Sequence, residues 1–281
     1  MTSTPTTPKP TAIFIIDIQK GVADDPEHEI PTAARIRKAG SKILETARQI
    51  LDSTHTTTTA TPPLLIVFIQ HEEPPEDGPL NRGSELWKLV FEPREGVSGE
   101  VLVRKMHGII PIYLYPISTY LPTYLPTYLP YLSYPTQDLN KYLVTQSPQA
   151  ITYLYHKDTK LTKLTMSDNV FTSNPNLASN LKAQGIKDII ALGIMSEYCV
   201  EESCKGALDA GFRVALLSGA HSTYSRETQS VAEIEREVEA HFRDRDRDRG
   251  KGGGAAVVVG WEEAVAAWEA RGMVFIPTAG E

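Results

Sequence analysis

KDIIALGIMSEYCVEESCKGALDAGFRVALLS, residues 187–218, is the stretch whose wording sets the fold. Ile189-Ile190-Ala191-Leu192 is a continuous apolar run closed by Gly193, the mark of a strand buried on both faces of a parallel sheet. A short turn, Ile194 to Tyr198, leads to Cys199, where a helix begins. Val200, Ala207, Leu208 and Ala210 form the apolar side of that helix, Gly211 ends it, and Val214-Ala215-Leu216-Leu217 is the next strand. The unit predicted is βαβ. Ligands of open α/β sheets bind at the carboxyl edge of the strands, and a helix N-terminus there favours a thiolate. For a lone cysteine the plainer reading is a buried structural residue, so the choice depends on what other strands bring to the same edge.

Working outward, Thr11-Ala12-Ile13-Phe14-Ile15-Ile16 reads as a central strand ending in Asp17, with Gln19 just beyond. An acid at that position taken alone is a turn former or helix cap. Residues 30–52 carry a helical pattern, and a threonine-rich tract from His55 to Pro63 follows. Leu64-Leu65-Ile66-Val67-Phe68-Ile69 is a second buried strand. It runs into Gln70-His71-Glu72 and a long acidic, proline-rich loop, and loops of such length line sites. Glu100-Val101-Leu102-Val103-Arg104-Lys105 is a third strand. Its terminal lysine, read alone, is a solvated surface residue. Near the C-terminus, 228–243 is a helix, Arg243 to Arg249 an alternating charge run read as a solvated loop, Ala256 to Val259 a last strand, and Trp261 to Arg271 a final helix.

The 281 residues suffice for one large α/β domain, with 41% hydrophobic and 22% charged residues. A formal net charge of -7 argues against nucleic acid or an anionic membrane as partner. Two cysteines five positions apart on one helix make no disulfide framework, so a reducing, cytoplasmic setting is expected. Residues 1–10 read as a short disordered tail, and no stretch resembles a membrane span.

From about 109 to 166 the pattern breaks. Thr-Tyr-Leu-Pro occurs three times from Thr119 to Pro130. A proline every fourth residue forbids a helix and spoils a sheet ladder, so extended, polyproline-like or disordered chain is expected there. Residues 11–281 are thus read as a single domain interrupted by a low-complexity insert.

The segments AIFIIDIQ at 12–19, EVLVRKMHG at 100–108, DNVFTSNPNL at 168–177 and ALGIMSEYCVEESCKGALDAGFRV at 191–214 together resemble the isochorismatase-like cysteine hydrolases, which include nicotinamidases and related amidases. The resemblance implies a three-layer α/β/α fold with a mostly parallel, Rossmann-like sheet. It implies a catalytic triad of Asp17, Lys105 and Cys199, a cis peptide between Ile194 and Met195, and an oxyanion hole from the amides of Met195 and Cys199. Gln19, His71, Phe171 and Tyr198 are candidate pocket-lining residues. The reaction implied is hydrolysis of a small amide or related C–N bond in a small-molecule substrate, through a thioester on Cys199. The family forms dimers or tetramers, which implies a homo-oligomer.

This chain departs from the family in two places. Nicotinamidases hold a metal through an Asp-x-His…His cluster, whereas Gln70-His71-Glu72-Glu73-Pro74-Pro75-Glu76-Asp77-Gly78 lacks that pattern. No metal and no cofactor are expected, and nicotinamide is disfavoured as substrate. A cysteine at 199 argues against vinyl-ether cleavage, which needs no thiol. The second departure is the insert, which follows the triad lysine and leaves Lys157 and Lys163 as rivals. Lys105 is preferred because its strand matches, whereas Lys157 to Lys163 sit in featureless chain. If the insert acts as a lid the enzyme stands; if it keeps Lys105 from seating, a binding or scaffold protein on the same fold is the alternative, with the TYLP tract as ligand for aromatic grooves and a redox-sensing thiol less favoured. One hypothesis is that the insert is a translated intron or gene-model artefact. The mature transcript tests it: a message without codons for roughly 109–166 bears it out, and a continuous one removes it.

Overall fold

The computed structural model describes residues 10–54, 64–74, 78–106, 110–114, 143–146, 151–155, 161–165, 168–247 and 255–277. The chain divides into two units, Met1–Met106 with Asp168–Glu281, and His107–Ser167. In chain order the strands are β1 (Thr11–Ile16), β2 (Leu64–Glu72), β3 (Glu100–Met106), β4 (Ile110–Leu114), β5 (Leu143–Gln146), β6 (Ile151–Tyr155), β7 (Leu161–Thr165), β8 (Asp188–Ile194), β9 (Arg213–Ser222) and β10 (Ala256–Gly260). The helices are α1 (Lys20–Ala23), α2 (Ala33–Thr54), α3 (Val170–Ser173), α4 (Leu177–Ala183), α5 (Glu201–Asp209), α6 (Val231–Arg247) and α7 (Trp261–Arg271).

The first unit is built on a six-stranded sheet in the order β10-β9-β8-β1-β2-β3, parallel throughout. Its central strands are apolar on both faces because both faces are covered. Along β1, Ile13 and Ile15 join one core with Ile36, Ile43, Ala47 and Leu51 of α2 and Trp268 of α7. Ala12, Phe14 and Ile16 point the other way, into a core with Leu181 of α4, Ala207 and Leu208 of α5, and Val238 and Phe242 of α6. This is the period-2 alternation of a strand set against the 3.6-residue period of amphipathic helices. Each fully buried aliphatic side chain contributes about 1.5–3 kcal/mol. The α/β/α architecture expected from the sequence is the one observed.

Two features of the sheet shape its carboxyl edge. Gly193, next to last in β8, has φ of 143°, and a Cβ there would lie 2.1 Å from the Ile16 carbonyl oxygen, so only glycine lets β8 close on β1 at this level. Beside it the β8–β9 register slips: Ala191 pairs with Leu216, but Gly193 pairs with His221. The extra residues form a bulge in β9, a device that re-aims side chains next to sites.

The amino end of β3 is held by charge. Glu100, its side chain fully buried, accepts from Arg48 Nε at 2.9 Å and Nη2 at 2.8 Å, and from Arg94 Nε and backbone N at 2.7 Å each. Arg94 also pairs with Asp52 on α2 through its two terminal nitrogens, Nη1 and Nη2. These bonds tie β3, an edge strand, to α2 and to the loop that precedes it.

Several sequence expectations shift. β2 runs on to Glu72, so Gln70 and His71 belong to the strand rather than the loop. α6 extends through Arg247, into the charge run read as a loop. Opposite charges three residues apart, and arginine near a helix C-terminus, both favour helix. Pro10 is not tail: its carbonyl accepts from Lys187 N at 3.2 Å. In the second unit, β4-β7-β6-β5 form an antiparallel sheet, with Ile110 opposite Thr165 and Ile151 also opposite Thr165. The stretch around Lys163 is therefore strand rather than featureless chain; Ile151, Thr152, Tyr153 and Tyr155 of β6 and Thr162 and Thr165 of β7 are of types that favour strands. The tail 1–9, the tract 55–63, the TYLP repeats and Lys157 lie outside the described residues.

Glu100 generates a stability prediction. Burial by itself would push its carboxyl up, but Arg48 and Arg94 outweigh that and hold it below the ordinary glutamate value. A depressed folded pKa means the contribution is present above the unfolded value of about 4.3 and is lost as pH falls below it. Glu100→Gln is expected to lower stability by about 3 kcal/mol at neutral pH and to flatten the loss of wild-type stability on acidification. Denaturant melts at neutral pH and near pH 3 measure both, and an unchanged midpoint at neutral pH would refute the role given to this network.

Candidate active site

At the carboxyl edge of the sheet, three elements bring one residue each. Asp17 follows β1 and is 3% exposed, Lys105 is next to last in β3 and is 0% exposed, and Cys199 lies in the turn after β8 and is 7% exposed. Lys105 Nζ lies 2.9 Å from Asp17 Oδ2 and also reaches the Cys199 sulfur. Lysine is almost never fully buried unless paired, so the surface reading of Lys105 from sequence alone is overturned. Asp17 Oδ1 has no hydrogen-bond partner among the described residues. Asp17 holds φ at 52°, a left-handed value rare for a side chain other than glycine, and such strain persists where surrounding structure imposes it. Here its N–H donates to the Ile69 carbonyl of β2 at 3.0 Å and its own carbonyl accepts from Gln19 N at 2.9 Å.

Cys199 lies within a wide π-helical turn, Ser196–Val200, and α5 proper starts at Glu201. The cysteine is therefore inside the turn that launches the helix rather than at its first residue. The peptide between Ile194 and Met195 is cis. The Met195 carbonyl accepts from Tyr198 N at 3.2 Å and Val200 N at 3.1 Å, while the amides of Met195 and Cys199 have no acceptor outside the turn among the described residues.

Asp168 is a site residue that the sequence reading passed over. Its carbonyl accepts from Lys105 Nζ at 3.0 Å and from Ser203 Oγ at 3.4 Å, and its carboxylate Oδ1 accepts from Cys199 Sγ at 3.6 Å. The next residue, Asn169, caps α3 by accepting from Phe171 N at 2.9 Å, and packs where a Cβ on Gly206 of α5 would intrude at 2.4 Å. The available signal was the cap pattern Asp168-Asn169-Val170 opening a helix.

The other expected pocket residues divide. Gln19 is fully buried with its amide committed: Nε2 donates to the carbonyls of His71 and Trp87, and Oε1 accepts from His71 N. It ties the β1 and β2 ends together and does not line an open pocket. Phe171 is half-buried, stacking on Phe14 at 5.9 Å and packing on Phe212 at 6.1 Å. Tyr198 is exposed, its hydroxyl 3.1 Å from Arg226 Nη2. His71 is buried with Nε2 3.5 Å from Glu73 Oε1. Among the described residues no group of three or more His, Cys, Asp or Glu is arranged to hold a metal ion, and no helix is long and apolar enough to cross a membrane.

An isochorismatase domain model matches residues 152–240, a span that holds the β8 strand, the cis peptide and Cys199. Over those residues the chain is similar to the isochorismatase domain. Solved structures with this fold include an isochorismatase-like hydrolase from Alkaliphilus metalliredigens, with 14% identity, a TM-score of 0.55, and 94% of this chain and 98% of that one covered. A cysteine hydrolase from Pseudomonas syringae pv. phaseolicola has 15% identity and a TM-score of 0.56, with 95% of each chain covered. N-carbamoylsarcosine amidase from Thermoplasma acidophilum has 15% identity and a TM-score of 0.50, with 90% of this chain and 96% of that one covered. At these identities the likeness is one of fold. No curated protein matches by sequence.

The electrostatics of the site correct one further expectation. The helix N-terminus is expected to favour a thiolate at Cys199. Burial instead pushes the thiol well up; Lys105 pulls it down, but Asp17 and Asp168 add to the rise. For Lys105, burial works against the ammonium, and Asp17 and Cys199 outweigh it to hold its pKa above the usual lysine range. Burial thus works against forming a thiolate on Cys199, and Lys105 is the one neighbour that favours it. Asp168→Asn removes one of the charges that raise the thiol, so alkylation of Cys199 by iodoacetamide at pH 7.5 should quicken about threefold to tenfold, since one pKa unit is a tenfold change in thiolate fraction. A rate equal to wild type would show that Asp168 does not act on the sulfur.

Proposed function

We propose that this chain is a cysteine hydrolase cleaving a small amide or related C–N bond through a thioester on Cys199. The observation that carries this reading is the buried contact of Lys105 with both Asp17 and Cys199, 2.9 Å from the former. The buried seat of Lys105 beside Asp17 supports this reading over the scaffold alternative, which required the insert to unseat that lysine.

The chemistry follows from a charge-neutral exchange. Forming a thiolate while Asp17 stays ionised would put two anions beside one buried cation, which burial resists. Moving the proton from Cys199 to Asp17 replaces one anion by another, and Lys105 remains beside whichever is charged. Asp17 Oδ1, without a partner, is free to take the proton. The general base and the nucleophile thus work together. As the sulfur attacks a carbonyl, the amides of Met195 and Cys199 receive the developing oxyanion, a stabilisation of about 2.7–4 kcal/mol per donor. Protonated Asp17 then returns its proton to the leaving nitrogen, the C–N bond breaks, and a thioester remains. Water, deprotonated by the same carboxylate, attacks the thioester and releases the acid and the free thiol.

The isochorismatase domain match over residues 152–240 supports a hydrolase, and the similar N-carbamoylsarcosine amidase supports a C–N bond in this one. The test is release of ammonia or amine from a panel of small amides and N-carbamoyl compounds by the full chain, with mass spectrometry of quenched enzyme. An acyl adduct on Cys199 is expected. Cys199→Ala should fall to background, and Asp17→Asn should lose about 10²–10⁴ in kcat. Turnover by Cys199→Ala at the wild-type rate would end the proposal.

A further inference from the structure

A second constellation lies beneath the turn that carries Cys199, and the mechanism above does not use it. Ser196 Oγ is 2.8 Å from His221 Nδ1, and His221 Nε2 faces Glu239 Oε1 of α6 at 3.5 Å. Ser196 and His221 are 0% exposed and Glu239 is 8% exposed. Glu239 Oε2 accepts from Arg243 Nη2 at 2.7 Å, one turn along α6. Burial would raise the Glu239 carboxyl, but bonds from His221, Ser218 and Arg243 bring it down to about 2, so it is an anion facing the ring. The ring thus lies between the two, with Nδ1 against the Ser196 hydroxyl and Nε2 toward the carboxylate.

The set has the composition of a serine-hydrolase triad but not its geometry. In that triad Nε2 faces the serine and Nδ1 the acid; here the ring is reversed, and the serine is sealed from solvent. We propose that Ser196, His221 and Glu239 form a positioning relay that fixes the turn bearing the oxyanion-side amides. This rests on the cysteine-hydrolase reading and extends it to residues that touch no substrate.

Three observations converge. Ser196 is the first residue after Met195, so anchoring its side chain orients the peptides on both sides of it. The β9 bulge is what brings His221 opposite Gly193, where continuation of the earlier register would have put Ser218. Glu239 belongs to α6, which packs against the turn, so the relay links the turn to a helix outside the sheet. A buried histidine with both nitrogens aimed at polar partners, placed by an irregularity of the strand, is a costly arrangement for packing alone.

The test uses the full chain and two reagents for Cys199. Acylation by p-nitrophenyl acetate passes through an oxyanion, whereas alkylation by iodoacetamide does not. Ser196→Ala and His221→Leu are expected to slow acylation by about 10–100-fold, part of the 10²–10³ for losing an oxyanion donor outright, with alkylation within twofold of wild type. His221→Asn, which keeps an acceptor for Ser196, should recover most of the acylation rate. If His221→Leu does not fold, Ser196→Ala decides, because it removes a single oxygen. Acylation unchanged in both variants, or the two reactions slowed in parallel, overturns the relay while leaving the hydrolase standing. A wild-type Cys199 that is alkylated but never acylated overturns both.

Discussion

A lysine ammonium without exposure to water governs this molecule. Removing an ion from water costs several kcal/mol even after relaxation, and only close, well-directed partners repay it. Lys105 has an anion in Asp17, a carbonyl in Asp168 and a sulfur in Cys199. Each arrives from a different part of the chain, so β1, β3, the turn after β8 and the segment opening α3 must all be in place for the charge to be tolerated. The network around Glu100 does the same for the other end of β3. An edge strand on a parallel sheet has only one neighbour, and this one is pinned at both ends by charge.

The site rests on departures from regular structure supported from behind. Asp17 has a left-handed backbone, Gly193 admits the Ile16 carbonyl, β9 carries a bulge, and the Cys199 turn is wider than an α-helix. Regular strands would aim side chains only up or down from the sheet. The irregular ends bring acid, cation and thiol to a point and turn His221 inward beneath them. Rigid packing on both faces of the sheet holds these deviations at their positions.

How much of this could be read from residues alone follows from the range of each interaction. Strands such as Ile13 to Ile16 and Ile189 to Leu192 were legible because burial on both faces writes a continuous apolar run, and α2 and α7 because one-sided burial writes a 3.6-residue period. Asp17 and Cys199 were legible as strand-end residues. Lys105 was not: a buried ammonium and a solvated one are the same letter, and only partners distant in sequence tell them apart. Asp168 acts partly through its carbonyl, which every residue has. His221 depends on a bulge, which inserts residues without a compositional mark. The protonated state of Cys199 depends on depth of burial, which no local pattern encodes.

Lys105 and Asp168 touch although 63 positions separate them. The closing of so wide a ring is less forbidding than its span implies, because its entropic cost grows only with the logarithm of length, about 0.6 kcal/mol per doubling. The order of events is altered more than the final balance. On a ribosome, the ammonium of Lys105 emerges long before the carbonyl and the sulfur that complete its coordination. Until then water solvates that ammonium, and its burial waits on the turn that carries Cys199.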